Sequence, residues 1–258
     1  MKNINHPTTH EDLSGAWCND NEVTSSIMEA VSFVTPVMEK FFIRTVDEGL
    51  SPQTSSALKE RCTAFIHEEA DHTRVHRKFN ASLLQYLGDT PPGLAMLDTL
   101  LDGTRKHLSL SSRLLLAAAL EHYTAVLSKA YLAQSDRMDI RSAFARELFV
   151  RHAREEISHR SVVFDLWRSQ SGGDSFKRSL TILVILLAGG VYISIAMPWI
   201  LHRKTGSLRR TFAALARFAV GNRADVTAYS PLPELFSFAR HDYHPDHLID
   251  DGLAGAAH

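Results

Sequence analysis

Two stretches of this chain carry the same short pattern: HEEADHTRVH at residues 67–76 and HAREEISH at residues 152–159. Each contains Glu-x-x-His, and on an α-helix two residues three positions apart lie on the same face. In helical bundles, two such pairs and one Glu from each of two further helices form a carboxylate-bridged dimetal site. The two stretches therefore predict two metal-binding helices of one bundle.

The predicted ligands in these stretches are Glu69 and His72 in the first and Glu156 and His159 in the second. The acid just before each glutamate is the alternative ligand. We favour Glu69 and Glu156 because each has a histidine three positions later, which completes the pattern. A single Glu-x-x-His also occurs on solvated helices, so the interpretation depends on two further acids.

Two lone acids stand in apolar segments of the kind expected for the other two helices. Glu39 lies in FVTPVMEKFFI and Glu121 lies in RLLLAAALEHYTAVL. Burying an isolated carboxylate is costly unless it is paired or bound to a metal. Four carboxylates balance the charge of two divalent cations, so the filled site would be neutral. Mixed Glu and His ligands favour two iron ions, with manganese or zinc as alternatives.

Two further histidines are predicted to face the same space. His152 lies four and seven residues before the two ligands of its own stretch, which places all three within an arc of about 60°. We predict that His152 is a seventh ligand. His76 follows His72 by four residues and is predicted either to bind metal or to support a ligand. For a hydrolytic reaction we assign proton transfer to His76 and Glu155.

Breaker residues divide the chain from residue 22 to 170 into helices. Gly and Pro fall between apolar segments of helical period, and no long segment alternates with period two. Four long helices joined by breakers predict an all-α bundle. The predicted long helices lie near 22–48, 53–87, 111–134 and 137–170, with a short helix near 93–106.

The chain after the bundle is different in character. Residues 179–201, SLTILVILLAGGVYISIAMPWIL, hold no charged residue, and as a helix they would be about 34 Å long, enough to cross a hydrocarbon layer of roughly 30 Å. Two interpretations stay open: a membrane-associated helix, or a buried helix of the bundle. The next segment, SLRRTFAALARFAVG, places Arg209, Arg210 and Arg217 within an arc of about 100°. This pattern is typical of a basic amphipathic helix at a membrane surface.

These patterns predict four parts of the chain. They are a flexible leader (1–21), a dimetal helical bundle (22–175), a hydrophobic helix with a basic amphipathic helix (176–225), and an irregular tail (226–258). If the third part enters a membrane, the substrate is expected to be apolar.

Composition excludes several classes of protein. The net charge of −1 excludes a polybasic nucleic-acid binder. Two cysteines, Cys18 and Cys62, exclude a disulfide scaffold and a Cys-rich metal site, and they fit a reducing compartment. No basic-then-apolar signal sequence begins the chain. The expected location is therefore the cytoplasm, with attachment to the inner face of the membrane as a further expectation.

Four segments carry a family resemblance: FIHEEADHTRVHRKFN, RLLLAAALEHYTAVL, RHAREEISHRSVVFDLW and FARHDYHPDH. Together they resemble the bacterial family of predicted metal-dependent hydrolases, over residues 20–250. The order of acids and histidines also resembles that of ferritin-like di-iron proteins, and the additional His152 is similar to the extra histidine of di-iron arylamine N-oxygenases. The resemblance implies a ferritin-like bundle and seven metal ligands: Glu39, Glu69, His72, Glu121, His152, Glu156 and His159.

The ligand set is compatible with three functions. The favoured prediction is a di-iron oxygenase or oxidase, which uses O₂ on an organic substrate and needs an electron donor. The alternative is a dinuclear metal-dependent hydrolase, in which the metals activate water. The third is a non-enzymatic metal-binding membrane protein. The expected partners are a small-molecule or lipid-like substrate and a second copy of the chain, with no nucleic acid.

Overall fold

The computed structural model describes residues 13, 15–171, 175–221 and 231–247. Within these residues the chain is all-α, as predicted, and its only β-type pairing is an isolated bridge between Cys18 and Ile140. The helices are α1 (Glu22–Gly49), α2 (Ser56–Leu87), α3 (Leu94–His107), α4 (Leu110–Ser135), α5 (Ala143–His159), α6 (Val162–Gln170), α7 (Ser175–Thr205), α8 (Leu208–Gly221) and α9 (Leu232–Ser237), followed by a 3-10 turn at Pro245–His247.

Helix boundaries follow local capping chemistry. The side chains of Asn21, Ser55, Ser109 and Ser142 accept hydrogen bonds from first-turn amides of α1, α2, α4 and α5. Gly88 ends α2 with φ of 74°, a left-handed conformation that a residue with a Cβ rarely adopts. The caps of α1, α2 and α4 explain why these helices agree with the predictions to within a few residues. Helix α3 agrees as well, without a side-chain cap.

The single helix predicted over 137–170 is wrong. The chain forms α5 and α6 instead, with an extended segment before α5. In that segment, Asp139 O accepts from the backbone N of Asn19, and the backbone N of Arg141 donates to Trp17 O. Pairing with a distant part of the chain therefore replaces helical hydrogen bonds here.

The end of the predicted flexible leader is packed. Trp17 is 1% exposed and Cys18 is fully buried. The Trp17 ring stacks on Phe149 and meets Phe79 edge-on, with centroids 6.1 and 5.8 Å away. Burial of this aromatic surface outweighs the polar character of its neighbours in sequence. The rest of the predicted leader, residues 1–12 and 14, lies outside the described residues.

The predicted irregular tail is also partly ordered. It forms α9, and Phe238 and Tyr243 are buried against Phe164 of α6. The apolar surface of these rings draws the segment onto the bundle. Residues 226–230 and 248–258 of the predicted tail lie outside the described residues.

The bundle places two helix pairs side by side. Helix α1 packs along α2, helix α4 packs along α5, and α1 also contacts α4. Each pair joins one helix that holds a lone predicted glutamate ligand to one that holds a Glu-x-x-His, as expected for a ferritin-like bundle. The four predicted ligand helices therefore surround one interior.

Helix α7 is long and apolar enough to cross a membrane by length and composition alone, with a mean hydropathy of 2.4. In the structure it packs along α1 and α4. Ile182 and Ile185 join the bundle core, and the Tyr192 hydroxyl donates to Ala30 O at 3.1 Å. One face of α7 is therefore part of the bundle.

Candidate metal centre

The structure brings the seven predicted ligands together in the bundle interior. Helices α1 and α4 contribute one glutamate each, and α2 and α5 contribute the two motif stretches. Six of the side chains are almost completely buried, and His152 retains 16% of its side-chain exposure. The seven are Glu39, Glu69, His72, Glu121, His152, Glu156 and His159.

Six of the seven predicted ligands form two sets of three. Within each set the potential donor atoms lie within 4.8 Å of one another; the sets are Glu39, His72 and His152, and Glu69, Glu156 and His159. The sets adjoin, because His72 Nδ1 of the first lies 3.6 Å from Glu69 Oε1 and 3.8 Å from Glu156 Oε1 of the second. The two sets therefore belong to one cluster of potential metal donors.

Glu121 is the seventh side chain at the centre. Neither of its carboxylate oxygens has a hydrogen-bond partner, and both are buried. Burial, and then the nearby carboxylates of Glu156 and Glu69, raise the pKa of Glu121 well above its ordinary value. The Glu121 carboxylate therefore lies close to the carboxylates of both sets.

The buried polar atoms at this centre fit metal ions. Buried polar atoms in proteins are almost always hydrogen-bonded, since leaving one unpaired is costly. Carboxylate oxygens and imidazole nitrogens are donors that suit divalent iron, manganese or zinc. Atoms here without a hydrogen-bond partner include Glu39 Oε1, Glu69 Oε2, His72 Nδ1, both carboxylate oxygens of Glu121, His152 Nδ1 and Glu156 Oε2.

Each motif histidine is held by a carboxylate from the opposite motif helix. His72 Nε2 lies 2.6 Å from Glu155 Oε2, and His159 Nε2 lies 2.5 Å from Glu68 Oε2. A carboxylate on the outer nitrogen fixes the orientation of a ligating imidazole and raises its basicity. Both rings therefore present Nδ1 to the interior.

Sequence reasoning missed this role of Glu68. The sequence pattern suggested proton transfer for Glu155, whereas in the structure its carboxylate contacts the imidazole of His72. The signal was available, because both stretches read Glu-Glu-x-x-His and the first acid of each occupies the same relative position. Thr73 was also missed; its hydroxyl donates to Glu39 Oε2 at 2.7 Å, and no spacing rule indicated that contact.

His76 lies beside the centre with a defined tautomer. Its ring centroid is 4.8 Å from that of His152. The Ser32 hydroxyl donates to Asn80 Oδ1 at 2.7 Å and lies 2.8 Å from His76 Nδ1. Since the single hydroxyl hydrogen is used on Asn80, Ser32 accepts from His76 Nδ1. Burial lowers the pKa of His76 to about 3, so Nε2 carries a free lone pair and has no hydrogen-bond partner.

When no metal is bound, several buried acids and histidines of the centre have raised pKa values and retain protons. Burial, and then the Glu69 carboxylate, raise the pKa of Glu39 well above its ordinary value and that of Glu156 to about 7. Burial alone would lower the pKa of His72, but its contacts with Glu155 and Glu69 raise it to about 11. Without metal, the acids therefore cannot all be ionised together, and bound cations would take the place of these protons.

The tail anchors helix α4 next to Glu121. His122, the residue after Glu121, makes two contacts with the tail. Its Nε2 is 3.0 Å from the backbone oxygen of Glu234, and its Nδ1 is 2.8 Å from the hydroxyl of Tyr243. Next to Tyr243, His244 Nε2 lies 3.0 Å from Asp165 Oδ1 of α6. These contacts give Tyr243 and His244, in the FARHDYHPDH segment that carries part of the family resemblance, a structural role.

A model of the predicted metal-dependent hydrolase family matches residues 3–248 of the chain. The chain therefore belongs to this family. No curated protein and no solved structure matches it significantly.

Proposed function

We propose that this member of the predicted metal-dependent hydrolase family is a dimetal hydrolase. The two adjoining sets of Glu and His donors are the observation that carries the proposal. Family membership supports the hydrolytic alternative over the oxygenase that the ligand pattern alone favoured. The resemblance to di-iron oxygenases has no support from the comparisons.

Bound metal ions would polarise the substrate and lower the pKa of a water molecule. Residues around the ions would hold the ligands in position. Glu155 and Glu68 orient His72 and His159 and increase their basicity. Thr73 orients Glu39 through its hydroxyl.

His76 is the proposed acceptor for the attacking water. Its Nδ1 donates to Ser32, which Asn80 holds in place, so the ring is fixed with Nε2 unprotonated. Because a pKa of about 3 makes this imidazole a weak base, we assign Nε2 the task of accepting a hydrogen bond from the water and orienting it. Glu155, which the sequence analysis paired with His76 in proton transfer, is engaged with His72 and contributes by positioning that ligand.

The proposed approach of the substrate is between α2 and α5. His152 is the most exposed of the seven ligands, and the outer carboxylates of Glu155 and Glu68 retain 33% and 49% of their side-chain exposure. The remaining ligands are covered by the bundle. A small ester or phosphoester could reach the centre from this side.

The test combines metal analysis with two assays. We expect close to two metal ions per chain, and Zn²⁺- or Mn²⁺-dependent cleavage of aryl ester or phosphoester substrates. His76→Asn should lower kcat by about 10²-fold or more with metal content retained. His67→Asn, at an exposed position of the same helix, is the matched control.

The contrary result is equally specific. Apoprotein loaded with Fe²⁺ without oxygen can be exposed to air while O₂ uptake is followed. Uptake in proportion to the protein, with no hydrolysis under any metal, would reject the hydrolase and return the oxygenase or oxidase as the favoured function. Absence of bound metal after loading would reject both.

A further inference from the structure

The outer face of α7 is mostly apolar, and Ser194 is an exposed polar residue near its end. Its exposed residues recur every three or four positions, so they form one stripe that is about 28 Å long at the rise of an α-helix. Continuous exposed apolar patches of this size are typical of interaction surfaces. The stripe consists of Phe176, Leu180, Leu183, Val184, Leu187, Val191 and Ile195, each between 46% and 76% exposed.

Both ends of α7 are bound to the rest of the protein. Near its start, Arg178 donates to Arg240 O at 2.6 Å. Near its end, Arg203 Nε donates to Leu87 O at 2.7 Å, and Lys204 Nζ lies 2.5 Å from the buried Glu29 carboxylate. Crossing a bilayer would break these contacts and leave Glu29 buried without its cation, which is strongly destabilising. The helix is therefore placed to lie along a surface.

Charge is segregated onto this part of the chain. Seven of the 28 cationic residues and none of the 29 acidic residues fall within 175–221, so the rest of the chain carries a net charge of −8. Arg178 and Lys204 are engaged inside the protein. The other five cations of this segment are exposed, and such a distribution attracts a polyanionic surface to one side of the molecule.

Helix α8 combines exposed apolar and basic residues. Leu208, Phe212 and Val220 are exposed apolar positions, and the opposite side of the helix, including Ala214, packs on α7 and α1. Three exposed arginines share this helix, and no ion pair joins them to acids in the described ranges: Arg209, Arg210 and Arg217. Apolar side chains beside arginines are the composition of helices that lie in a membrane interface.

We propose that α7 and α8 form a lipid-binding face, which lies in the plane of an anionic bilayer surface without crossing it. The apolar stripe enters the boundary between head groups and acyl chains, and the arginines of α8 bind lipid phosphates. A second copy of the chain fits less well, because a two-fold interface would bring the same cation-rich, acid-free face against itself. This inference does not depend on the reaction at the metal centre.

The test is flotation of the purified full-length protein with vesicles. We expect binding to phosphatidylcholine vesicles that contain about 30 mol% phosphatidylglycerol, and weak binding to phosphatidylcholine alone. Leu183→Glu with Leu187→Glu should abolish binding, with metal content and helicity unchanged. Leu100→Glu on α3, an equally exposed leucine, is the control.

A second set of variants tests the charge. Replacing Arg209, Arg210 and Arg217 with Gln should lower the partition coefficient for anionic vesicles about 100-fold. Each cation near an anionic surface contributes roughly a factor of five to this coefficient. The control replaces three exposed cations on other helices: Lys59, Lys106 and Arg168.

Three results would overturn the proposal. Equal binding to both vesicle types would remove the role of charge. A protein that resists extraction from vesicles at high pH would span the bilayer. A lipid-free dimer that Leu187→Glu dissociates, without vesicle binding by the parent protein, would assign the stripe to a second copy of the chain.

Discussion

The imidazole of His72 on α2 lies with Nε2 2.6 Å from Oε2 of Glu155 on α5. The same contact occurs in the reverse direction, from His159 on α5 to Glu68 on α2. Each motif helix therefore supplies both a pair of predicted ligands and the support for the other helix's histidine. These reciprocal contacts couple the two halves of the centre.

Glu155→Ala and Glu68→Ala should each weaken metal binding by about 10- to 100-fold, because an unsupported imidazole is less basic and less well oriented. Saturating metal should restore the parent stoichiometry. Titration with a competing chelator measures the affinity. Glu60→Ala on the exposed side of α2 is the control, and affinities equal to that control would show that the two carboxylates do not support the ligands.

Glu121 should have opposite effects with and without metal. Its carboxylate is buried without a partner, so Glu121→Gln should leave the apoprotein at least as stable as the parent. The same change, and Glu121→Ala, should lower metal content towards one ion or none per chain. Elemental analysis and denaturant unfolding of the apoprotein measure the two effects, and unchanged stoichiometry would place Glu121 outside the centre.

The metal-free protein should lose stability as pH rises from about 6.5 to 9. The raised pKa of His72, about 11, means that the folded state keeps a proton that the unfolded chain releases near pH 6.5. The loss is at most about 1.4 kcal/mol per pH unit for one proton. His76 and His122, with pKa values lowered by burial to about 3 and 4, are neutral in the folded state but half protonated in the unfolded chain near pH 6.5. They therefore oppose part of the loss at the lower edge of the window and contribute nothing above about pH 7.5.

Metal should reverse this dependence, because ligation displaces the same proton and affinity rises with pH. Thermal unfolding of apoprotein and metal-loaded protein at about pH 6.5 and 8.5 gives the comparison. A rise in apoprotein Tm between these values would contradict the assigned protonation of His72.

Tyr243→Phe should destabilise the protein by about 1–3 kcal/mol, because it leaves His122 Nδ1 buried without its 2.8 Å partner. Metal stoichiometry should be retained, since Glu121 itself is unchanged. Denaturant unfolding measures the effect against Tyr86→Phe, an exposed tyrosine of α2. Equal stabilities of the two variants would mean that the tail does not anchor α4.

Much of the bundle and the predicted ligand set followed from local sequence. Caps and breakers such as Asn21 and Gly88 act within a few residues of themselves, so they specify helix ends wherever the helix is placed. The spacing of Glu69 and His72 likewise places both side chains on one face through helical geometry alone. Acids such as Glu121, inside apolar segments, marked the interior because an unpaired buried carboxylate is costly.

Contacts between distant segments had no such local signal. The support of His72 by Glu155, the packing of Trp17 on Phe149 and the break before α5 all depend on which helices adjoin. The course of α7 was open for the same reason, because its composition suits either a lipid or a protein interior. The packing of one of its faces on the bundle depends on Tyr192, Arg203 and Lys204, which meet partners more than a hundred residues away. Helical periodicity is a short-range property of the chain, whereas these pairings exist only once the bundle has assembled.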